Sequence, residues 1–119
     1  MKYVDRFIVP VPKKKLDAYK RMAKRAAKVW REHGALEYRE YVGDDTPYGK
    51  RTSFPRSVKL KEDETVIFAW VVYKSRRDRD RISKKVMSDK RLKDMMDIEA
   101  LPFDAKRMIW GGFELLVSA

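Results

Sequence analysis

The chain opens with a strict alternation of positions. Over residues 3–11, Tyr3, Phe7, Val9 and Val11 fall on one face of an extended segment and Val4 and Ile8 on the other, and Pro12 closes the strand. The period then changes. Leu16, Tyr19, Ala23, Ala26 and Trp30 recur at steps of three and four, which predicts an amphipathic helix within 13–34 that stops at Gly34. Residues 35–42 return to a more polar strand, expected near a sheet edge. The turn-rich stretch 43–52 reads as a long hairpin loop, and the weak alternation of Phe54, Arg56, Val58 and Leu60 predicts a short extension of that hairpin.

The strongest strand signal is 65–73, Thr-Val-Ile-Phe-Ala-Trp-Val-Val-Tyr, apolar on both faces and therefore expected to be central and covered on both sides. Ser75 with Asp78 three residues on is a capping box that opens a second helix, with Ile82 and Val86 inward. A further short helix near Asp89 would place Leu92, Met95 and Met96 inward. The last strand is predicted over 106–117, again apolar on both faces, with Met108, Trp110 and Leu116 opposite Ile109, Phe113 and Leu115.

The order β-α-β-β-α-β specifies an α+β ferredoxin-like domain spanning 1–119, in which two helices cover one face of a four-stranded antiparallel sheet. Two helices leave the second face bare, although the third and fourth strands are apolar on both sides. A second copy packed sheet to sheet is the economical cover, so a homodimer with a small-ligand cavity between the sheets is expected, a structural dimer without ligand being the alternative.

Composition narrows the chemistry. The 119 residues hold 29 Lys and Arg against 18 Asp and Glu, a net charge of +11, yet 44% are apolar, enough for one real core. There is no cysteine and a single histidine, His33, which removes disulfides, thiolate sites and multi-histidine metal sites within one chain. No apolar run approaches a membrane span of roughly 18 residues and the first residues do not read as a signal peptide, so a cytoplasmic protein without membrane partners is expected.

The charge is concentrated in two segments, 13–34 and 74–93, both read as helices. Such a surface attracts polyanions, and Lys24, Lys28 and Arg31 are the natural contacts for non-specific RNA or DNA. A solvated helix face is the ordinary alternative, and no aromatic platform for sequence-specific RNA recognition is visible.

Several short stretches resemble one family along essentially the whole chain: Met1-Lys2-Tyr3-Val4-Asp5-Arg6-Phe7-Ile8-Val9-Pro10-Val11-Pro12, His33-Gly34-Ala35, Gly43-Asp44-Asp45, Pro47-Tyr48-Gly49-Lys50, Thr52-Ser53-Phe54-Pro55, and the run from Pro102 to Phe113. The chain resembles the YbaA-like bacterial domain-of-unknown-function family, which looks like part of the dimeric α/β-barrel superfamily. That superfamily includes cofactor-free monooxygenases, lactone isomerases, dehydratases and heme-handling enzymes, so the resemblance implies at most a cofactor-free monooxygenase- or isomerase-like activity. The chain departs from the family pattern at Arg6, where Gly is usual, at Tyr41, where Cys is frequent, and at Ala105, another frequent Gly.

Individual residues sharpen these expectations. Asp5 and Arg6 are consecutive on a strand and face opposite sides. One of them points toward the core or the dimer cavity and must be paired, with Arg107 the expected partner of Asp5. That pair is either a structural ion pair or a catalytic one, Asp5 serving as a base whose pKa is raised by burial. Trp70 and Trp110 are read on the two central strands, either as packing or, with Arg6 and Tyr41, as walls of a flat-ligand site. His33 reads as a helix C-terminal residue bonding terminal carbonyls, or as a general base at a cavity mouth. Asp44 and Asp45 serve a turn better than a cation, and no metal or other cofactor is expected. Gly111-Gly112 marks a bulge or a close backbone approach.

Overall fold

A computed structural model describes residues 2–95 and 100–119. Met96, expected to point inward, lies outside the described residues. In chain order the elements are β1 (Tyr3–Pro12), α1 (Leu16–Glu32), β2 (Glu37–Val42), α2 (Phe54–Ser57), β3 (Glu64–Tyr73), α3 (Arg76–Met87), α4 (Lys90–Met95) and β4 (Ile109–Glu114). The strands form one antiparallel sheet in the order β2-β3-β1-β4, the ferredoxin-like arrangement.

β1 is the pivot. It pairs with β3 along its whole length, Tyr3 opposite Tyr73 through Pro12 opposite Glu64, but with β4 only from Tyr3 to Ile8. Pro10 and Pro12 therefore fall where the strand has a neighbour on one side, the only place a sheet tolerates a missing N–H. Its parity divides the sheet. Tyr3, Asp5, Phe7, Val9 and Val11 face the helices, and Val4, Arg6 and Ile8 face away.

The helix-side core joins Tyr3, Val71 and Tyr73 to Val29, Trp30, Ile82, Val86 and Leu92, and continues through Val9, Val11 and Ile67 to Tyr19. α1 ends at His33 and Gly34, whose φ of +117° suits a residue without a side chain. α3 opens as expected, the Ser75 hydroxyl accepting from the Asp78 N–H at 3.1 Å.

Two expectations change. Residues 54–57 are a helical turn and not a strand extension: Ser53 accepts from the Arg56 N–H at 3.1 Å, and Pro55 sits in the first turn. A capping hydroxyl and a residue without an N–H outweigh weak alternation. This turn drops Val58 onto Ile8 and Val66, so it covers one end of the face away from the helices. The second change concerns β4, which is an edge strand and shorter than predicted, leaving Ile109, Trp110 and Phe113 between 44% and 62% exposed.

Arg107, just before β4, is a clamp. Its guanidinium reaches Glu64 at 2.5 and 2.8 Å and Asp104 at 2.8 Å, and donates to the carbonyls of Val58 and Lys59. It thus joins the approach to β4, the start of β3 and the exit from α2. The Arg107 hydrogen bonds hold the Glu64 carboxyl below its usual range, against the opposing effect of burial. A lowered native pKa means a contribution to stability present above the ordinary glutamate range and lost as pH falls through the native value. Glu64→Gln is predicted to cost about 1–2 kcal/mol at neutral pH, since it removes a charge-assisted partner while Asp104 and the Val58 and Lys59 carbonyls still hold the guanidinium. Urea unfolding at pH 7 and pH 3 checks this, the difference between variant and parent shrinking at the lower pH.

Candidate functional site

The face of the sheet away from the helices carries a connected group of aromatic rings. Trp70 and Phe68 project from β3, and Tyr41 from β2 stacks on Trp70 with ring centres 4.9 Å apart and planes 26° apart. Phe68 meets Trp70 edge to face at 5.9 Å, and Phe54 of α2 meets Phe68 the same way at 5.8 Å. Opposite Trp70 on β1 stands Arg6, whose guanidinium carbon lies 4.6 Å from the Trp70 ring centre and 5.3 Å from that of Phe68. Both are cation–π distances.

Arg6, Tyr41 and Trp70, three of the four residues expected as walls, are therefore brought together, and two of the three departures from the family pattern, Arg6 and Tyr41, flank the same indole. Among the described residues no carboxylate pairs with Arg6. Beside it a groove of about 300 Å³ runs between Lys2, Val4, Glu37, Trp70 and Leu115.

The other expected residues lie elsewhere. Asp5 is buried on the helix side and does not meet Arg107, which is committed to Glu64 and Asp104. The partners of Asp5 are Arg79 of α3, 3.3 Å away, and Tyr73, whose hydroxyl donates to it at 2.9 Å. Burial raises the Asp5 carboxyl above its usual range, while the Tyr73 hydrogen bond and the Arg79 charge pull the other way. Arg79 also donates to the Tyr3 hydroxyl at 3.0 Å. Gly112, opposite Asp5, passes so close that a Cβ there would run into Tyr3 and Arg79. That is the close approach foreseen for the glycine pair.

Trp110 is opposite Phe7, so it belongs to the helix side of the sheet at the exposed β4 edge and forms no wall with Trp70. The reason is register. Pairing with β1, which residue periodicity does not encode, decides which side of an edge strand faces the open sheet surface.

His33 pairs through Nε2 with Asp89 at 2.8 Å, tying the end of α1 to the start of α4, while its backbone N–H closes the helix on Val29. Hydrogen bonds from Arg91 and then His33 hold the Asp89 carboxyl well below the usual range. Lys24 and Lys28 face solvent on α1, but Arg31 donates to the carbonyls of Ala35 and Leu36 and is spent on the helix-ending turn. Asp44 and Asp45 join no cluster able to hold a metal ion among the described residues, and no helix there is long and apolar enough to cross a membrane.

A group that the sequence reading missed sits between α1 and the sheet. Glu40 of β2 accepts from Tyr38 at 2.7 Å and from Tyr19 of α1. Burial, then the Glu40 charge, pushes both phenols well above their usual pKa, so they remain neutral donors. The available signal was weak: Tyr38 and Glu40 two apart on a strand share a face, but Tyr19 is 21 residues from its acceptor.

The comparisons agree with this architecture. The chain is 49% identical over 117 residues to the uncharacterized protein YbaA of Escherichia coli K12, covering 98% of each. Among solved structures it is similar to a mutant form of SnoaB, a cofactor-independent oxygenase from Streptomyces nogalater. The TM-score is 0.58 at 13% identity, over 98% of this chain and 95% of that one. It is also similar to a dimeric ferredoxin-like protein from an uncultured marine organism, with a TM-score of 0.56 at 12% identity over 99% and 96% of the two chains. These two likenesses support the dimeric α/β-barrel fold. The model of the family described as "Protein of unknown function (DUF1428)" matches residues 2–105, and with the YbaA match it shows that the chain belongs to the DUF1428 family.

Proposed function

We propose that the protein works as a homodimer whose two open sheet faces pack together, and that the enclosed cavity binds a small, flat, negatively charged aromatic or carbonyl compound against Arg6, Trp70 and Tyr41. The observation that carries this reading is Arg6. Among the described residues, a half-buried guanidinium lies on an indole without a carboxylate partner, on a sheet face that no helix covers along its middle. An arginine so placed offers its fork of N–H donors to a carboxylate or enolate, while Trp70 and Tyr41 supply flat apolar area. Lys2 and Glu37 of the same groove oppose each other, and Glu37 is paired with Arg39, so the preference for an anion rests on Arg6.

The shape of the protomer supports the dimer. It measures 38 × 38 × 20 Å with a radius of gyration of 14.8 Å, against about 13.5 Å expected for a compact chain of this length. That is a slab with one finished side. The dimeric ferredoxin-like neighbour shows that the fold is used in dimers. The analogy with the cofactor-independent oxygenase is one of fold alone, and extends the reading to a cofactor-free oxygenation or isomerisation of the bound compound. Asp5, enclosed beneath α3 with Arg79 and Tyr73, takes the role of a structural ion pair in this reading.

The probe for this site is 2-naphthoate, with 2-naphthylmethanol as the uncharged control. At a hundredfold excess over Kd, naphthoate is predicted to stabilise the protein by about 2.7 kcal/mol, read as a rise of several degrees in melting temperature. Arg6→Gln should weaken binding at least tenfold, and the alcohol should produce a much smaller rise. An equal shift in the Arg6→Gln protein, or none in the parent at millimolar naphthoate, contradicts the reading.

The outward cations of α1 carry a second reading, non-specific association with polyanions such as RNA. Lys24 and Lys28 are exposed and unpaired among the described residues. It predicts RNA affinity that falls log-linearly with salt in filter binding, with a shallower slope in the Lys24→Gln/Lys28→Gln protein. An unchanged slope removes these two residues from the interface.

A further inference from the structure

The layer between α1 and the sheet contains an unfilled space. Where α1 faces the sheet it presents Ala23 and Ala26, and the sheet answers with Ala69. These three small side chains line a half-open cavity of about 150 Å³ walled also by Phe7, Trp30 and Met108. Apolar walls around a volume of roughly that size leave room for a benzene-sized guest.

This cavity has one polar end, the Glu40 carboxylate. Its Oε2 accepts from Tyr38 at 2.7 Å and its Oε1 from Tyr19. A carboxylate offers about four acceptor positions, so the two phenols leave roughly half of them unused. No cation of the described residues pairs with Glu40. A further donor is therefore favoured, while a second anion is repelled. Tyr19, Glu40 and Ala23 also line a groove of about 340 Å³ between α1 and the edge strand β2, so the polar cluster borders both spaces.

We infer that each protomer holds a second small-molecule site, separate from the open sheet face, for a neutral single-ring hydroxyaromatic compound: the ring fills the alanine-lined cavity and the hydroxyl donates to Glu40. The two sites have opposite chemistry. Arg6 selects an anion, and Glu40 excludes one and takes a neutral donor. A buried neutral guest also avoids the desolvation cost that a charged one would meet among these walls.

The test is an NMR titration of the full chain carrying ¹³C-labelled alanine methyl groups, with phenol, toluene and benzoate as probes. Phenol should shift the methyls of Ala23, Ala26 and Ala69 saturably, toluene should do so with lower affinity, and benzoate should leave them unmoved. Glu40→Gln should weaken phenol about tenfold, consistent with losing a charge-assisted hydrogen bond, and leave toluene unchanged. That difference between ligands separates a direct contact from a loosened fold. Ala26→Leu, which fills the cavity, should abolish both. The inference fails if phenol leaves the three methyls of the parent protein unmoved, if benzoate shifts them as phenol does, or if Glu40→Gln weakens phenol and toluene alike.

Discussion

Everything in this molecule follows from a sheet with two apolar faces and helices for only one of them. β3 shows the constraint most directly. Ile67, Ala69, Val71 and Tyr73 are consumed by the helix-side core, while Phe68, Trp70 and Val72 alternate with them toward the other side. α2 covers one end of that second face through Val58, and the rest is left to aromatic rings and Arg6. Burying a large apolar side chain is worth about 1.5–3 kcal/mol, so a face of this composition is a strong drive toward a partner surface.

The charged groups divide along the same line. On the helix side Asp5 is enclosed and answered by Arg79 and Tyr73, and on the other face, at the end that α2 covers, Glu64 is answered by Arg107. These contacts cross between elements distant in sequence and set how α3 and the approach to β4 sit on the sheet. Burying such ions is costly unless each is paired, which explains why Gly112 must be bare where Tyr3 and Arg79 crowd it. Along the uncovered part of the open face Glu37 pairs with Arg39, and Arg6 has no carboxylate partner among the described residues. The net charge of +11 belongs mainly to the outer helix layer, on the opposite side of the sheet from that arginine.

Much of this was legible from the residues. The alternation of β1 and β3, the three-and-four stripe of α1 and the Ser75 cap are local signals, and each produced its element. The topology followed from their order, and the bare sheet face followed from counting helices against apolar faces. What was not legible depended on register or on contacts across the sequence. By charge alone Arg107 fits as the partner of Asp5, but its guanidinium is used by Glu64, Asp104 and the carbonyls of Val58 and Lys59. Trp110 was placed with Trp70 although its pairing with Phe7 turns it to the other side. α2 was obscured because Val58 and Leu60 mimic a strand while Ser53 and Pro55 dictate a cap. The Tyr19–Glu40–Tyr38 group needs α1 laid on β2 before it exists at all.

The central claim is that a second copy of the chain covers the open face. Sedimentation equilibrium of the protein at micromolar concentration tests it most directly. The account predicts one species of about 28 kDa, twice the 14.2 kDa of the chain. A monomer of 14.2 kDa across that range would contradict it.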